Sequence, residues 1–154
     1  MSAFAGSCPE NSQEWESKCY FFVSNTSKFL NAEIHCRSLG GHLASISDAF
    51  TNAFIAQQSG KQLQGSGTSD AWLGGTSLID STNWTWTDNS PFTFTNWANS
   101  SAINGHTCTA IGFANGLWMA DDCFESKPYI CITDKNAETT TTTTTTPENE
   151  ASFL

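Results

Sequence analysis

Six cysteines are the residues of this chain whose chemistry is easiest to identify. None of them stands in a Cys-x-x-Cys motif or at a distance from histidine that is typical of a zinc site. An even number of cysteines without such spacing favours disulfide bonds that form in an oxidising compartment, although the number alone leaves their pairing open. We therefore expect a secreted, extracellular protein.

The remaining side chains offer little for catalysis. His35, His42 and His106 lie far apart in the sequence, and none falls in a metal-ligand spacing. The sequence contains no Gly-x-Ser-x-Gly turn, no phosphate-binding glycine loop and no suitable carboxylate pair, and disulfide-bonded cysteines cannot act as nucleophiles. The sequence predicts a protein that is not an enzyme and that needs no cofactor.

Two neighbouring acids, Asp121 and Asp122, are the best candidates for a cation site. Asp88, Asn104 or Glu125 could add oxygen ligands to them. Adjacent acids on a surface turn are more often simply solvated, so a cation at this position is the less favoured of the two interpretations.

Composition limits the class of partner. The chain has 154 residues, six Lys and Arg against fifteen Asp and Glu, and a formal charge of -9. Such a charge repels nucleic acid and anionic lipid, and no apolar run reaches the roughly 18 residues that a membrane-spanning helix needs. We expect one domain whose partners are neither nucleic acid nor membrane.

Two helices should carry part of the core. Residues 18–23 form a strand, and we expect Ser27 to cap a first helix that ends at Gly40 and Gly41. Its predicted inner face is Phe29, Ala32, Cys36 and Leu39. A second helix, capped by Ser47 or Asp48 and ended by Gly60, has the predicted inner face Phe50, Ala53, Phe54 and Gln57.

Short strands are predicted at residues 43–46, 71–74, 84–86 and 128–132. The dipeptide Asn115-Gly116 is a strong turn signal and predicts a hairpin between residues 108–113 and 117–120. Residues 87–105 read as a long loop of the kind that carries function.

The two ends of the chain have compositions of their own. Residues 1–7 are either the remnant of a leader, since Ala3-Phe4-Ala5 has the form of a cleavage site, or a plain linker. Residues 134–154 include Thr139 to Thr146, and we expect a disordered tail that is either an O-glycosylated stalk or a flexible linker. The folded domain is therefore expected over residues 8–133.

Several motifs together resemble one known family, the C-type lectin-like domain, in a long-form, secreted invertebrate version. The resemblance runs from Cys8 to about Ile132 and rests on the six cysteines, residues 41–46, Trp72-Leu73-Gly74, Asn96-Trp97, Trp118 and residues 129–131. It implies an α+β fold of two helices with small antiparallel sheets, a loop-rich ligand end and three disulfides. The implied pairs are Cys8 with Cys19, Cys36 with Cys131, and Cys108 with Cys123.

The resemblance also implies where calcium would bind in a sugar-binding member. Those positions fall on Ser101-Ala102-Ile103, on His106 and on Met119-Ala120, and none is a carboxylate. Calcium requires several charged oxygen ligands, so we expect no metal at this site. A gap in the loop could instead bring Asn99 or Asn104 into place, whereas Met119-Ala120 is fixed by its distance from Trp118.

The ligand is expected to contact the long loop and the hairpin. Phe92, Phe94 and Phe113 could face solvent there and anchor a partner. The predicted ligand-binding residues are Phe92, Phe94, Asn99, Ser101, Asn104, His106, Phe113, Met119 and Asp121. Asn25, Asn83 and Asn99 begin N-glycosylation sequons, and a glycan at Asn99 would favour a protein or a large glycan as ligand.

The sequence therefore predicts a non-enzymatic recognition domain of innate defence or extracellular matrix. It would bind a glycan or an extracellular protein without calcium at the usual site. The two alternatives are a calcium-dependent lectin that holds a displaced ion and a structural or surface-interaction protein that carries a glycosylated stalk. The oligomeric state is left open.

Overall fold

The computed structural model describes residues 7–80, 82–98 and 107–135. The predictions for residues 1–6, for Asn99, Asn104 and His106, for residues 101–103 and for the threonine tail lie outside the described residues.

The described part of the chain contains eight strands and two α-helices, with one turn of 3-10 helix at Gln64–Ser66. They are β1 Gln13–Trp15, β2 Lys18–Ser27, α1 Phe29–Ser38, β3 His42–Leu43, α2 Ala49–Gln62, β4 Asp70–Asp80, β5 Asn83–Trp86, β6 Thr107–Gly112, β7 Trp118–Asp122 and β8 Lys127–Asp134.

The strands form a single sheet in the order β1-β2-β8-β4-β6-β7, with β3 paired to β8 and β5 paired to β4. Every pairing is antiparallel except the contact between β4 and β8 at Trp72 and Tyr129. The predicted small antiparallel sheets are thus joined into one mixed sheet. The sheets are joined because β8 lies between β2 and β4 and runs parallel to β4.

β4 is longer than the four residues predicted for it. Its residues are buried from Ala71 through Ser77, and this run includes Gly74 and Gly75, which were expected to end the strand. A Cβ on Gly74 would lie 2.7 Å from the carbonyl oxygen of Leu43. These glycines therefore permit close packing inside the strand, a role that a turn signal does not distinguish.

Helix α1 buries Phe29, Ala32 and Cys36, as predicted, but two details of the prediction are wrong. Leu39 is 37% exposed because the helix ends at Ser38 and the chain turns away. Ser27 is not the cap: the N-cap is Lys28, which makes no side-chain capping bond, and the Ser27 hydroxyl donates to the Lys28 carbonyl.

Glu33 is a buried charge that the apolar pattern of α1 did not reveal. It is only 4% exposed, and its carboxylate accepts hydrogen bonds from the Leu43 N–H at 3.0 Å and from Arg37 Nε at 2.8 Å. His42 Nδ1 lies 2.7 Å from the same carboxylate. Burial alone would raise the pKa of Glu33, but the bonds from Leu43, His42 and Arg37 lower it below its ordinary value. The carboxylate ties α1 to β3.

Helix α2 begins at the predicted cap, because Asp48 Oδ1 accepts a hydrogen bond from the Thr51 N–H at 2.7 Å. Its predicted inner face is largely wrong. Phe50 is 77% exposed, Ala53 and Gln57 face solvent, and only Phe54 is half-buried. The helix continues past Gly60, and its buried residues are Thr51, Asn52, Ile55, Ala56 and Ser59.

All three predicted disulfides are present. Cys8–Cys19, Cys36–Cys131 and Cys108–Cys123 span 11, 95 and 15 residues of sequence. By loop-closure entropy the longest link stabilises the fold by about 4 to 5 kcal/mol and the Cys108 link by roughly 3 kcal/mol. The Cys36–Cys131 link joins α1 to β8, and the Cys108–Cys123 link holds the β6–β7 hairpin to the turn that follows it.

We predict that Glu33→Gln lowers the free energy of unfolding by about 2 kcal/mol at pH 7, because a buried charge-assisted network is broken. The folded pKa of Glu33 lies below its ordinary 4.5, so this stabilisation is present above pH 4.5 and is lost as the pH falls through the folded pKa. Urea unfolding at pH 7 and pH 3 measures both effects.

Glu10→Gln is the matched control, since Glu10 is exposed. It should leave the free energy of unfolding unchanged at both values of pH. An equal loss for Glu33→Gln at pH 7 and at pH 3 would show that the charge of Glu33 is not what stabilises the α1–β3 junction.

Candidate functional site

The β6–β7 hairpin is the framework of the candidate site. Its strands pair from Thr107 with Asp122 to Ile111 with Trp118. The predicted turn is confirmed: the Asn115 side chain accepts a hydrogen bond from the Leu117 N–H at 3.0 Å, and Gly116 has a φ of 71°. A side chain at Gly116 would be strained and would approach Asn52, so the turn fits closely against α2.

Trp118, the first residue of β7, is completely buried and is surrounded by aromatic rings. Four rings lie around it with centroids 5.5 to 6.1 Å away, in edge-to-face contact, and they belong to Trp86, Phe92, Phe94 and Trp97. Such contacts add to the free energy gained by burying the rings. We call this group the Trp118 cluster.

Polar contacts also hold Trp118 in place. Its indole N–H donates to Asn52 Oδ1 at 2.7 Å. The Asn52 amide and the Asn96 amide both donate to the carbonyl oxygen of Gly116, at 2.9 and 2.7 Å. The Trp118 N–H donates to the Asn96 carbonyl, and Ala98 N–H donates to the Trp118 carbonyl. Helix α2, the hairpin and the loop before residue 99 therefore meet at one residue.

The three phenylalanines expected to face solvent do not project freely into it. Phe92, Phe94 and Phe113 are each half-buried and pack against the main core. Phe92 stacks on Trp86 with ring centroids 4.5 Å apart. Trp97 is likewise half-buried. The first role of these rings is to hold the loop on the hairpin.

Met119 and Ala120 follow Trp118 on β7, paired with Ala110 and Thr109 of β6. Because successive side chains of a strand point to opposite faces, Met119 turns outward where Trp118 turns inward, and it is 41% exposed. Neither side chain carries an oxygen atom. The group exposed at the middle of β7 is therefore the thioether of Met119.

Asp121 and Asp122 also lie on β7, so the same alternation of side chains points them to opposite faces of the sheet. Asp121 Oδ2 lies 3.2 Å from the ammonium of Lys127, whereas Asp122 accepts a hydrogen bond from the Phe124 N–H in the turn after β7. The two neighbouring acids thus do not point at a common position.

Lys127, at the start of β8, lies among three acids of this region, and we call these four residues the Lys127 cluster. Its ammonium lies 3.0 Å from Asp70, 3.2 Å from Asp121 and 3.3 Å from Glu125, and 5.3 Å from the centre of the Trp72 ring. The side chain is only 10% exposed. Burial alone would lower the pKa of Lys127, but bonds and charges from Asp70 and Asp121 raise it. Lys127 was not anticipated, because its only signal in the sequence is a lone lysine before a buried strand.

Asp88, which was also considered for a displaced cation, does not join this group. Asp88 accepts hydrogen bonds from the Ser45 hydroxyl at 2.5 Å and from the Ser90 N–H at 2.9 Å. Among the residues that the structure describes, no group of three His, Cys, Asp or Glu side chains is arranged to hold a metal ion. Asn104 lies outside them.

Two further expectations concern the surface. Asn25 and Asn83 are exposed at the sequons that begin with them, and the Asn83 amide donates to Asp80 at 2.7 Å. Neither described helix is long and apolar enough to cross a membrane.

We predict that Lys127→Met lowers the free energy of unfolding by about 2 kcal/mol at pH 7. The change leaves the Asp70 and Asp121 carboxylates, which are 21% and 24% exposed, without their cation. Because the pKa of Lys127 is raised, its contribution is fully present at neutral pH and is lost only as the pH rises through the folded pKa.

Lys61→Met is the control, since Lys61 is exposed in the last turn of α2. Chemical unfolding of both variants at pH 7 gives the comparison. If the two substitutions cost the same, the Lys127 cluster contributes no more than an exposed lysine.

Comparison with known proteins gives one consistent result. Residues 25–133 match the model of the Lectin C-type domain. Ladderlectin of Oncorhynchus mykiss is 30% identical over 139 residues, which are 85% of this chain and 70% of that protein. The secretory phospholipase A2 receptor of Mus musculus is 30% identical over 122 residues, which are 77% of this chain but 8% of the receptor.

The fold agrees with the sequence relationship. A crystal structure of a calcium-independent type II antifreeze protein superposes with a TM-score of 0.76 at 23% identity, over 86% of this chain and 98% of that one. These relatives give no support to the expected invertebrate form. The α+β architecture, the three disulfides and the matched residues together establish that this chain belongs to the C-type lectin domain family.

Proposed function

We propose that this chain is a secreted, non-enzymatic recognition domain that binds a glycan or an extracellular protein at the β6–β7 hairpin without calcium at the usual site. The observation that carries the proposal is the surface of β7, where the exposed Met119 and the neighbouring Ala120 stand between Trp118 and the Lys127 cluster. Of the proposed contact residues, Asn99, Ser101, Asn104 and His106 belong to the undescribed part of the loop.

The chemistry of these side chains does not fit calcium. The ion takes six to eight oxygen ligands, several of them charged. Met119 and Ala120 supply none from their side chains, and the nearest carboxylate, Asp121, already faces the ammonium of Lys127 at 3.2 Å. A calcium ion beside Asp121 would have to displace or repel that buried lysine, which argues against a displaced ion here as well.

Met119 is an exposed apolar group on a firmly held strand, which suits direct packing against a ligand. The backbone beside Met119 is held by the buried Trp118 and by β6, so a ligand that packs on β7 has little chain to order. The thioether is adaptable and packs well against apolar surface, including the carbon face of a sugar ring or an aromatic anchor of a protein. Asp121 adds a charged group on the same strand.

Two general observations support the rest of the proposal. Three disulfides suit an extracellular protein. A structural neighbour with this fold is described as calcium-independent, so the fold itself does not require the ion. Neither observation selects among ligands, and the two alternatives, a calcium-dependent lectin and a stalk-bearing structural protein, become outcomes of the experiment below.

We expect the folded protein to bind members of a panel of immobilised glycans and extracellular matrix proteins equally well in millimolar calcium and in EDTA. Met119→Asp should weaken binding about tenfold or more, because it places an unpaired charge in an apolar contact. Phe50→Ser is the matched control: Phe50 is a 77% exposed apolar side chain on α2 and should be neutral.

Loss of binding in EDTA would favour the calcium-dependent lectin and contradict the proposal. Binding that Met119→Asp leaves unchanged would place the contact away from the hairpin. A panel without any response, together with self-association of the chain, would favour the structural protein.

A further inference from the structure

Two adjoining cavities outside the candidate site are lined mostly by polar groups. The smaller, of about 170 Å³, takes in the turn between β1 and β2 and the start of α2. The larger, of about 290 Å³, takes in the turn after α1 and the end of β8, and it approaches the roughly 300 Å³ at which small-molecule sites begin. The residues that line both are Lys18, Asp88, Ser90 and Ile132. We call the two cavities together the Tyr20 cleft.

Tyr20 lines the smaller cavity, and its hydroxyl has no hydrogen-bond partner within residues 7–80, 82–98 and 107–135. The residue is only 4% exposed, and its ring packs edge-to-face on Phe54 with centroids 5.2 Å apart. Buried polar groups are normally hydrogen-bonded, and one that is left alone costs about 1 to 3 kcal/mol. The Tyr20 hydroxyl is therefore a group that a ligand in this cavity could bond.

The surroundings of the hydroxyl are negatively charged. Burial raises the pKa of Tyr20 above its ordinary value, and the carboxylates of Glu16, Asp48 and Asp88 raise it further. Over the described ranges of the chain, none of these three acids forms an ion pair. The hydroxyl thus stays neutral, and the charge around it favours a positively charged ligand.

The basic groups that line the cleft do not neutralise these acids. Lys18 Nζ lies 2.6 Å from Asp134 Oδ1, and His42 Nδ1 lies 2.7 Å from the carboxylate of Glu33. Each base is thus engaged by another carboxylate. The acids beside Tyr20 are also not arranged to hold a metal ion, as no suitable group of three ligand side chains occurs among the residues with described positions. A cation that binds through hydrogen bonds fits them better.

Asp88 is placed to accept hydrogen bonds from such a cation. Its carboxylate already accepts from the Ser45 hydroxyl at 2.5 Å and from the Ser90 N–H at 2.9 Å. A carboxylate has about four lone-pair sites, so part of its capacity is left, and an ammonium group has three N–H donors to fill it. The Tyr20 oxygen and the carboxylate of Glu16 offer further acceptors along the same cavity.

We propose that the Tyr20 cleft binds a primary ammonium group carried on a hydroxylated body, as in an amino sugar. The ammonium lies in the smaller cavity, between Tyr20 and Asp88. The larger cavity takes the body, because its polar lining, which includes the backbone at Gly40 and Gly41, suits hydroxyl groups. This second site goes beyond the proposed function and does not depend on it, since Met119 lines neither cavity.

Nuclear magnetic resonance of the full chain with ring-labelled tyrosine tests the proposal, because the chain has only two tyrosines. Tyr20 reports on the cleft, and Tyr129, which bonds His35 and lines neither cavity, is the control within the same sample. We expect protonated glucosamine at pH 6 to shift the Tyr20 signals with a Kd on the order of 1 mM and to leave those of Tyr129 in place. N-acetylglucosamine, whose nitrogen is uncharged, should shift neither.

Three variants show which groups hold the ligand, with Kd measured by calorimetry at constant ionic strength. Asp88→Asn should weaken glucosamine binding about tenfold, because it removes a charged acceptor. Tyr20→Phe keeps the ring that packs on Phe54 and should weaken binding about fivefold. Glu10→Gln removes an exposed carboxylate outside the cleft and should leave the Kd unchanged. A native circular dichroism spectrum is required of each variant.

Equal shifts with glucosamine and N-acetylglucosamine would overturn the proposal, because the charge would then not be recognised. So would Tyr20 signals that do not move at about 50 mM glucosamine, far above the expected Kd, or that move only with calcium. An Asp88→Asn variant that binds as tightly as the unchanged chain would also contradict it. Equally tight binding of n-butylammonium would show that the hydroxylated body is not recognised. Ligand binding at the hairpin is measured with Met119→Asp, so the two sites fail separately.

Discussion

Burial of the Trp118 indole is the interaction on which the β6–β7 hairpin and the loop before residue 99 depend. The ring accepts edge-to-face contacts from the loop and from β5, and its N–H is satisfied by Asn52 of α2. A buried indole N–H without an acceptor would cost about 1 to 3 kcal/mol, so Asn52 is required where a helix would ordinarily place an apolar residue. The same asparagine binds Gly116 and so positions the turn of the hairpin.

This requirement explains why the hairpin was predictable and the buried face of α2 was not. Asn115-Gly116 is a local signal, and the turn it forms is largely contained within a few residues. The inner face of α2 was sought among apolar side chains, but Thr51, Asn52 and Ser59 are buried and Phe50 is exposed. Asn52 is buried because Trp118 and Gly116, more than sixty residues away, need its amide. No pattern within the helix carries that information.

The two buried charges illustrate the same limit. Neither Glu33 nor Lys127 was singled out from the sequence, because charged side chains are rarely buried unless they are paired. Their partners come from other elements: Leu43 from β3 for Glu33, and Asp70 from β4 for Lys127. The disulfide pairs and the fold class followed from the family resemblance, whereas spacing alone left the pairing open. The sequence predicted a strand that ends at Ala120, whereas β7 extends to Asp122 and so includes Asp121, and the lysine that Asp121 faces was not anticipated.

The paired charges near the hairpin stabilise the fold, and they also bear on the proposal that it binds without calcium. With only six basic residues, the chain places one of them, Lys127, among three carboxylates below the hairpin. The buried ammonium of Lys127 balances the negative charge of the acids that converge from β4, β7 and the following turn, as a bound structural cation would. The proposal that the hairpin binds without calcium therefore rests on this whole region and not on Met119 and Ala120 alone.

Thermal unfolding in millimolar calcium and in EDTA tests that account most directly, because an ion that binds the native state must raise the melting temperature. The account predicts the same Tm in both buffers. A Tm that is higher in calcium by about 5 °C or more, the shift expected for an ion present far above its Kd, would contradict it.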